Sequence, residues 1–545
     1  MDSTRALGIG ILIGLISSLP ACTKAGFWTN PLGDYEELQV AKQHYKIPVI
    51  LVPGIKGSIL RDYKRKRNLW GDSINNVFFN TFDDLSLFAD LRRRLSKRDR
   101  RFDEDAFHEM IRPIVTDRHE ENILESFRVG GTSFKLFKSA VYENLRKMLE
   151  GHGGYSVGND LFLFYYDWRL DNRIAATKLA LLLPQYVSKY LRFIEAREGV
   201  SCLPLWEGKV RGVEHGKSGG EDQRRCDEVW TRLRERGVVT QTNQVKVNII
   251  AHSMGGLVAQ YLIRAMGYGD VVHRLILLGT PNRGSVDALK GLAQGEYPES
   301  LILQLRIPLL TYPEERTRGV LFSFPSVFQL LPRYAGAIRN PQGESLTSPF
   351  GLGENTDEGA ASRWERFNLI PVAQVHELAG AGEQELPDLE RVLKEYVAWN
   401  LGAARCFHIA ISGSSDCGEE EERRQAKAAQ FLQDTQPEEF GTLAYHGRKP
   451  SGGPPPPVVV FGGHCHETLF AAEVADDPTV PIRFLRSGDR GRYQYGDGRV
   501  PFVSGRPLGL APKDSWEFFL CEDHLNLVNN ENFQYNLLKE LLLVK

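Results

Sequence analysis

Residues 245–262 read Val-Lys-Val-Asn-Ile-Ile-Ala-His-Ser-Met-Gly-Gly-Leu-Val-Ala-Gln-Tyr-Leu. A β-branched apolar run from Val245 to Ile250 passes into a helical pattern at Leu257, with only Ala251 to Gly256 between them. A strand feeding a helix this directly suits a βαβ unit, whose sheet is parallel and covered by helices on its faces. Such a strand is buried on both sides, which is why it is apolar throughout instead of alternating. The same character recurs at Ile47–Val52, Leu161–Tyr166, Arg274–Leu278 and Phe407–Ile411, each followed by turn residues. The expected fold class is therefore α/β with a mostly parallel central sheet. The stretches at about 60–155, 200–244 and 283–403 fit no simple repeat and read as lid or cap insertions into that sheet.

Composition excludes several alternatives. With 67 Lys+Arg against 69 Asp+Glu, the net charge of −2 lacks the basic excess that counterion release requires of a dedicated nucleic-acid binder. A charged fraction of 25% with 10% aromatics is ordinary for a globular chain and argues against wholesale disorder.

The amino terminus reads as an export signal. Its apolar run, Ala6 to Leu19, is shorter than the roughly 20 residues a bilayer-spanning helix needs and matches the core of a signal peptide. Leu19-Pro20-Ala21-Cys22 resembles the bacterial lipoprotein cleavage box. The expected organisation is a lipoprotein-type signal over 1–22 with lipid on Cys22, a linker over 23–44 and one domain over 45–545, anchored to the cell envelope membrane; simple secretion is the alternative. Setting Cys22 aside leaves Cys202, Cys226, Cys406, Cys417, Cys465 and Cys521, an even number in a compartment that permits disulfides. Cys202–Cys226 and Cys406–Cys417 each close a short polar segment, although sequence leaves the connectivity open.

Three points on this frame carry chemistry. A serine hydrolase needs its nucleophile on a sharp strand-to-helix turn, with small residues two before and two after it so that strand and helix can approach. Ala251 and Gly255 stand at those positions around Ser253. The strand Ile47–Val52 runs into Pro53-Gly54-Ile55-Lys56-Gly57-Ser58, the kind of turn that supplies one oxyanion-hole amide while the residue after the nucleophile supplies the other. Ile55 and Met254 are the expected donors. The order serine, acid, histidine then points to Asp497, in a Gly-flanked loop, and His524, just before a final helix, with Asp489, Asp514 and Asp523 as alternative acids. His408, His464 and His466 precede Asp497 and break that order. His464-Cys465-His466-Glu467 raises a metal site but lacks clear partner ligands, so neither metal nor cofactor is expected.

The segments VPGIKGSIL (52–60), LWGD (69–72), YDWRLD (166–171), AHSMGG (251–256), LLGTPNRGS (277–285) and GDGRVPFVS (496–504), in this order, resemble the lecithin:cholesterol acyltransferase family, which includes lysosomal phospholipase A2 and the phospholipid:diacylglycerol acyltransferases. The resemblance implies an α/β-hydrolase with a Ser253–Asp497–His524 triad, oxyanion amides at Ile55 and Met254, and a lid with a membrane-engaging region in the first insertion. It also implies a cap after LLGTPNRGS. The expected activity is cleavage of a phospholipid or related lipid ester through an acyl-enzyme, the acyl group passing to water or a lipid hydroxyl; the partners are lipid and a membrane surface. Tyr166-Asp167-Trp168-Arg169 would line or support the cleft. Ala251 in place of the common glycine, the unmatched region 414–456 and the lipoprotein-type start depart from the family. A non-lipid serine esterase and a catalytically silent binding module are the alternatives. The basic residues Lys64-Arg65-Lys66-Arg67 and Arg92-Arg93-Arg94 in the first insertion read either as head-group contacts or as a solvated face.

Overall fold

The apolar strands assemble edge to edge. In a computed structural model, which describes residues 44–71, 83–95, 102–129, 137–211, 220–295, 314–346, 357–441, 455–475, 477, 479–486, 495–507 and 515–543, six strands make the central sheet. They are β1 (Val49–Val52), β2 (Leu161–Leu163), β3 (Val247–His252), β4 (Val272–Leu278), β5 (Val458–Gly463) and β6 (Ser515–Leu520). Their spatial order is 2-1-3-4-5-6, and every neighbouring pair is parallel. Every residue of β1, β3 and β5 is buried, as covering on both faces demands. This is the α/β-hydrolase class expected from sequence. The expected signal segment with Cys22, and the alternative acids Asp489 and Asp514, lie outside the described residues.

The strand order fixes where a site can form. From β1 the chain crosses to β2 on one flank and then returns to place β3 on the other. Loops leaving the carboxyl ends of β1 and β3 diverge there, and that reversal is where open α/β sheets bind ligands. The turn after β1 is Pro53–Ser58 and the turn after β3 carries Ser253.

Two expectations about the sheet are corrected. Phe407–Ile411 is not a strand but the last part of a long helix, Leu386–Ser412. A five-residue apolar run does not separate buried strand from buried helix; the buried positions 389, 392, 393, 396, 397, 400, 401, 403, 404, 406, 407, 408 and 411 recur at the three-and-four spacing of a helix, with 403 and 406 widening the stripe. The sheet is instead completed by β5 and β6, which the sequence reading did not identify.

Helices α1 (Asn172–Glu198), α2 (Gly255–Arg264) and α5 (Glu531–Leu542) pack on the sheet, while α3 (Leu386–Ser412) packs on α2 and α4 (Gly418–Thr435) packs on α1. Asp171 caps α1 by accepting from the Arg173 amide, and Gly199 ends it with φ of 61°, a left-handed conformation that glycine adopts without strain. Region 414–456, which had no assigned place, supplies α4. Glu419, Glu420 and Glu421 lie in its first turn, where the helix dipole favours negative charge, but Glu421 turns inward. There it receives Arg173 Nε at 2.6 Å and Nη2 at 2.7 Å, while Arg173 also donates to Asp171 and to the Ala403 carbonyl. One buried guanidinium thus ties α1, α3 and α4 together, its single charge set between the carboxylates of Asp171 and Glu421, since a buried charge needs a partner.

Disulfides join Cys202 to Cys226, Cys406 to Cys417 and Cys465 to Cys521. In the first insertion, Lys64, Arg65 and Lys66 lie in the hairpin turn between strands Ser58–Asp62 and Arg67–Trp70, and Arg67 opens the second strand. Arg65 and Arg67 both pair with Asp84 there, and Arg92 lies 3.7 Å from Glu385. Much of this charge is engaged within the protein.

Candidate active site

Ser253 follows β3 directly and takes φ of 54°, a left-handed conformation that is costly for a residue bearing a Cβ and persists only where surroundings impose it. Its amide donates to the Leu278 carbonyl at 2.8 Å, and Gly256 donates to its carbonyl at 3.0 Å. Helix α2 can begin this abruptly because of the two glycines that follow. A Cβ on Gly255 would lie 2.4 Å from the Pro53 carbonyl oxygen, and one on Gly256 would lie 2.0 Å from Thr280 Oγ1. The first of these contacts brings the serine turn against the turn after β1.

A row of hydrogen bonds runs from the serine. His524 Nε2 is 2.9 Å from Ser253 Oγ, and His524 Nδ1 is 2.7 Å from Asp497 Oδ2. Asp497 is 1% exposed, and its other oxygen accepts from the amides of Arg499 at 2.9 Å and Val500 at 2.7 Å. Burial alone would raise its pKa, but the adjacent His524 and these amides outweigh burial and hold it below the ordinary 3.8. Asp497 is therefore an ionised acceptor facing the imidazole. Ser253, His524 and Asp497 come from three loops far apart in the chain, and all three were anticipated from sequence. Asp523 has a different place: it caps the turn that follows, accepting from the amides of Leu525 and Asn526.

Close packing around the pair leaves no room for side chains. A Cβ on Gly463, at the end of β5, would lie 2.5 Å from Asp497 Cβ and 2.5 Å from the Glu522 carbonyl oxygen. The Cys465–Cys521 disulfide joins the same two loops, fixing the end of β5 to the residues just before His524. Within it Cys465 is not free to bind metal. Among the described residues, no group of three His, Cys, Asp or Glu side chains could hold a metal ion.

The turn after β1 is braced from behind. Tyr166 Oη donates to the Pro53 carbonyl at 3.0 Å, and Trp168 Nε1 donates to the Ser58 carbonyl at 3.1 Å. Asp167 holds Arg169 through two of its nitrogens, and Arg169 reaches the Leu85 carbonyl. The YDWR segment thus supports the site through Tyr166 and Trp168, and its charges serve the fold. Lys56 takes φ of 62°, and its carbonyl accepts from Trp70 Nε1 at 2.7 Å. Gly54 has its α-carbon against the serine: a Cβ there would lie 2.6 Å from Ser253 Cβ. Ile55 follows it, and Met254 is fully buried at the start of α2.

Sequence reasoning missed two side chains here. His252, buried beside the serine, has Nε2 at 3.0 Å from the His524 carbonyl and Nδ1 at 2.8 Å from Tyr142 Oη, which in turn accepts from the Gly54 amide at 3.0 Å. Burial, and then the neighbouring His524, push the pKa of His252 down to about 3, so its ring is neutral. His252 lay in plain view within AHSMGG; nothing in the sequence near Tyr142 marks it. Of the other histidines weighed from sequence, His408 in α3 contacts the Gln329 carbonyl, His464 contacts the Leu520 carbonyl, and His466 lies beside Asp497 through a backbone bridge.

Comparison with known proteins bears on the same region. Residues 225–347 match the lecithin:cholesterol acyltransferase family model. The matched segment includes Ser253 and LLGTPNRGS but ends before Asp497 and His524, whose assignment rests on the geometry above. A match over this segment supports acyl hydrolase or acyltransferase activity. A solved structure described as the Tle4–Tli4 complex is 14% identical, covering 91% of this chain and 98% of that chain with a TM-score of 0.47. No curated protein matches.

Proposed function

We propose that this chain is a serine-dependent lipid acyl hydrolase or O-acyltransferase. The observation that carries the reading is the unbroken row Ser253 Oγ, His524, Asp497 at the carboxyl edge of the sheet, with the serine on a left-handed turn. In the first half-reaction His524 Nε2 takes the Ser253 proton as Oγ attacks the ester carbonyl. The C–O π bond opens to an oxyanion, which the Ile55 and Met254 amides receive; a donor in such a hole contributes about 10²–10³ in rate. Gly54 is not the donor on that side, because its amide is already committed to Tyr142. Asp497 holds the imidazolium, which then protonates the departing alcohol or lysolipid as the carbonyl re-forms. The resulting acyl-Ser253 is attacked by water, giving a fatty acid, or by a lipid or sterol hydroxyl, giving a new ester.

The substrate half of the proposal rests on the family match. Export through a lipidated Cys22, with the enzyme body held at a membrane surface, completes the proposal and places it beside its substrate. Purified protein incubated with labelled phosphatidylcholine, with and without sterol or diacylglycerol, tests the reading. Fatty acid or transesterified product that disappears in Ser253→Ala is the expected result. Turnover of simple esters with no lipid product would shift the assignment to a non-lipid esterase, and no serine-dependent turnover of any ester would leave a silent binding module.

A further inference from the structure

The bonds around His252 form one directed chain. At one end the Gly54 amide can only donate, and at the other the His524 carbonyl can only accept. Tyr142 Oη takes the Gly54 N–H as acceptor, so its own proton points to His252 Nδ1; the ring must then carry its proton on Nε2 and donate it to His524. Both intermediate side chains are buried, Tyr142 at 2% and His252 at 3% exposure. The chain therefore has a single consistent arrangement, Gly54 N–H to Tyr142 O–H to His252 Nδ1, then Nε2–H to the His524 carbonyl.

We propose that Tyr142 and His252 are positioning residues that lock the oxyanion turn and the backbone of the general base into one register with Ser253. The His524 peptide is gripped on both sides, its amide by the Asp497 carbonyl at 2.8 Å and its carbonyl by His252 at 3.0 Å. The Gly54 end sets the turn that precedes the Ile55 amide, while His252 itself is the residue before Ser253. Tyr142 begins the helix Glu143–Gly151 and so brings the first insertion into contact with the catalytic centre. A neutral ring suits this place, since the His252 and His524 ring centres are 5.0 Å apart and a second cation would oppose the imidazolium formed during turnover.

This inference rests on the serine-hydrolase reading, and its test separates the two. With full-length protein, Tyr142→Phe is expected to lower kcat on a p-nitrophenyl ester, and the rate of fluorophosphonate labelling, by about tenfold or more, with KM within about twofold. His252→Gln, whose side-chain amide can still donate to the His524 carbonyl, should retain about tenfold more activity than His252→Ala. Nitrogen-15 histidine NMR of the wild type should show His252 as the neutral Nε2–H tautomer at pH 5, and Tyr142→Phe should lose that fixed preference. The proposal is overturned if Tyr142→Phe keeps kcat within about twofold, if its loss appears in KM alone, or if His252 carries its proton on Nδ1. If Tyr142→Phe does not fold, the wild-type tautomer and the Gln against Ala comparison decide. A wild-type enzyme that is not labelled at Ser253 overturns the serine reading, and the tautomer still reports on the chain of bonds.

Discussion

Replacing Gly255 by alanine drives a wedge between the nucleophile turn and the oxyanion turn. The added Cβ would lie 2.4 Å from the Pro53 carbonyl oxygen and 2.7 Å from that of Val52. Carbon and oxygen do not approach closer than about 3.0 Å, so the end of β1 must retreat by roughly 0.6 Å. The displaced peptide joins Pro53 to Gly54, one residue from the Ile55 amide, and its carbonyl also accepts from Tyr166 at 3.0 Å. Overpacking of this kind costs about 1–3 kcal/mol of stability. A misplacement near 1 Å costs about 10² in rate, so a shift of about 0.6 Å should lower kcat by roughly 10- to 100-fold. Steady-state hydrolysis of a soluble ester and urea unfolding measure the two effects on the same preparation. Gly418→Ala, at a helix start with nothing within 4 Å of the new Cβ, is the control and should leave kcat unchanged and stability equal or slightly raised. Gly255→Ala retaining kcat within about threefold and full stability would show that the two turns are not in register as described.

Three further outcomes follow from the same geometry. Asp497→Asn should cut kcat by about 10³–10⁴ with little change in KM, because the amide no longer enforces the imidazole tautomer; a drop below tenfold in steady-state rate would contradict its role. Stability should fall as pH drops below about 6.5. His252, at about 3, and His108, also lowered by burial to about 4, take up protons in the unfolded chain before they do in the fold. At these two histidines the unfolded state binds more protons throughout that window, so their contribution to stability rises with pH across it, against the smaller opposite effect expected from Glu104 and Asp160, whose carboxyls burial raises. Asp497 adds a loss of the same sign below its ordinary 3.8; a urea midpoint that stays flat from pH 7 to 4.5 would refute this. Finally, the double change Cys465→Ser with Cys521→Ser removes the link between the end of β5 and the His524 loop. It should cost about 2–4 kcal/mol and lower kcat below the melting temperature, whereas normal kcat with only a lower melting point would confine the disulfide to stability.

What could be read from the sequence was local. The strand, turn and helix around Ser253 are contiguous, so periodicity and the small residues at 251 and 255 report them directly. Asp497 and His524 were reachable through their order in the chain and their loop surroundings. Phe407–Ile411 misled because burial on all sides makes a short helical stretch look like a central strand. The Tyr142–His252 bonds and the Arg173–Glu421 pair depend on side chains 110 and 248 residues apart, and no short-range pattern encodes them. Glu421 illustrates this well: in sequence it is one of an acidic run, and only the docking of α4 against α1 makes it the partner of a buried guanidinium.

The claim on which the rest depends is that Ser253 carries the acyl group. Intact-protein and peptide mass spectrometry after treatment with a fluorophosphonate, followed by assay of the labelled protein on phosphatidylcholine, tests it directly. One adduct is expected, on the peptide containing Ser253, absent from Ser253→Ala and accompanied by complete loss of lipid turnover. Lipid cleavage that continues in fully labelled protein, or an adduct on a different residue, would contradict it.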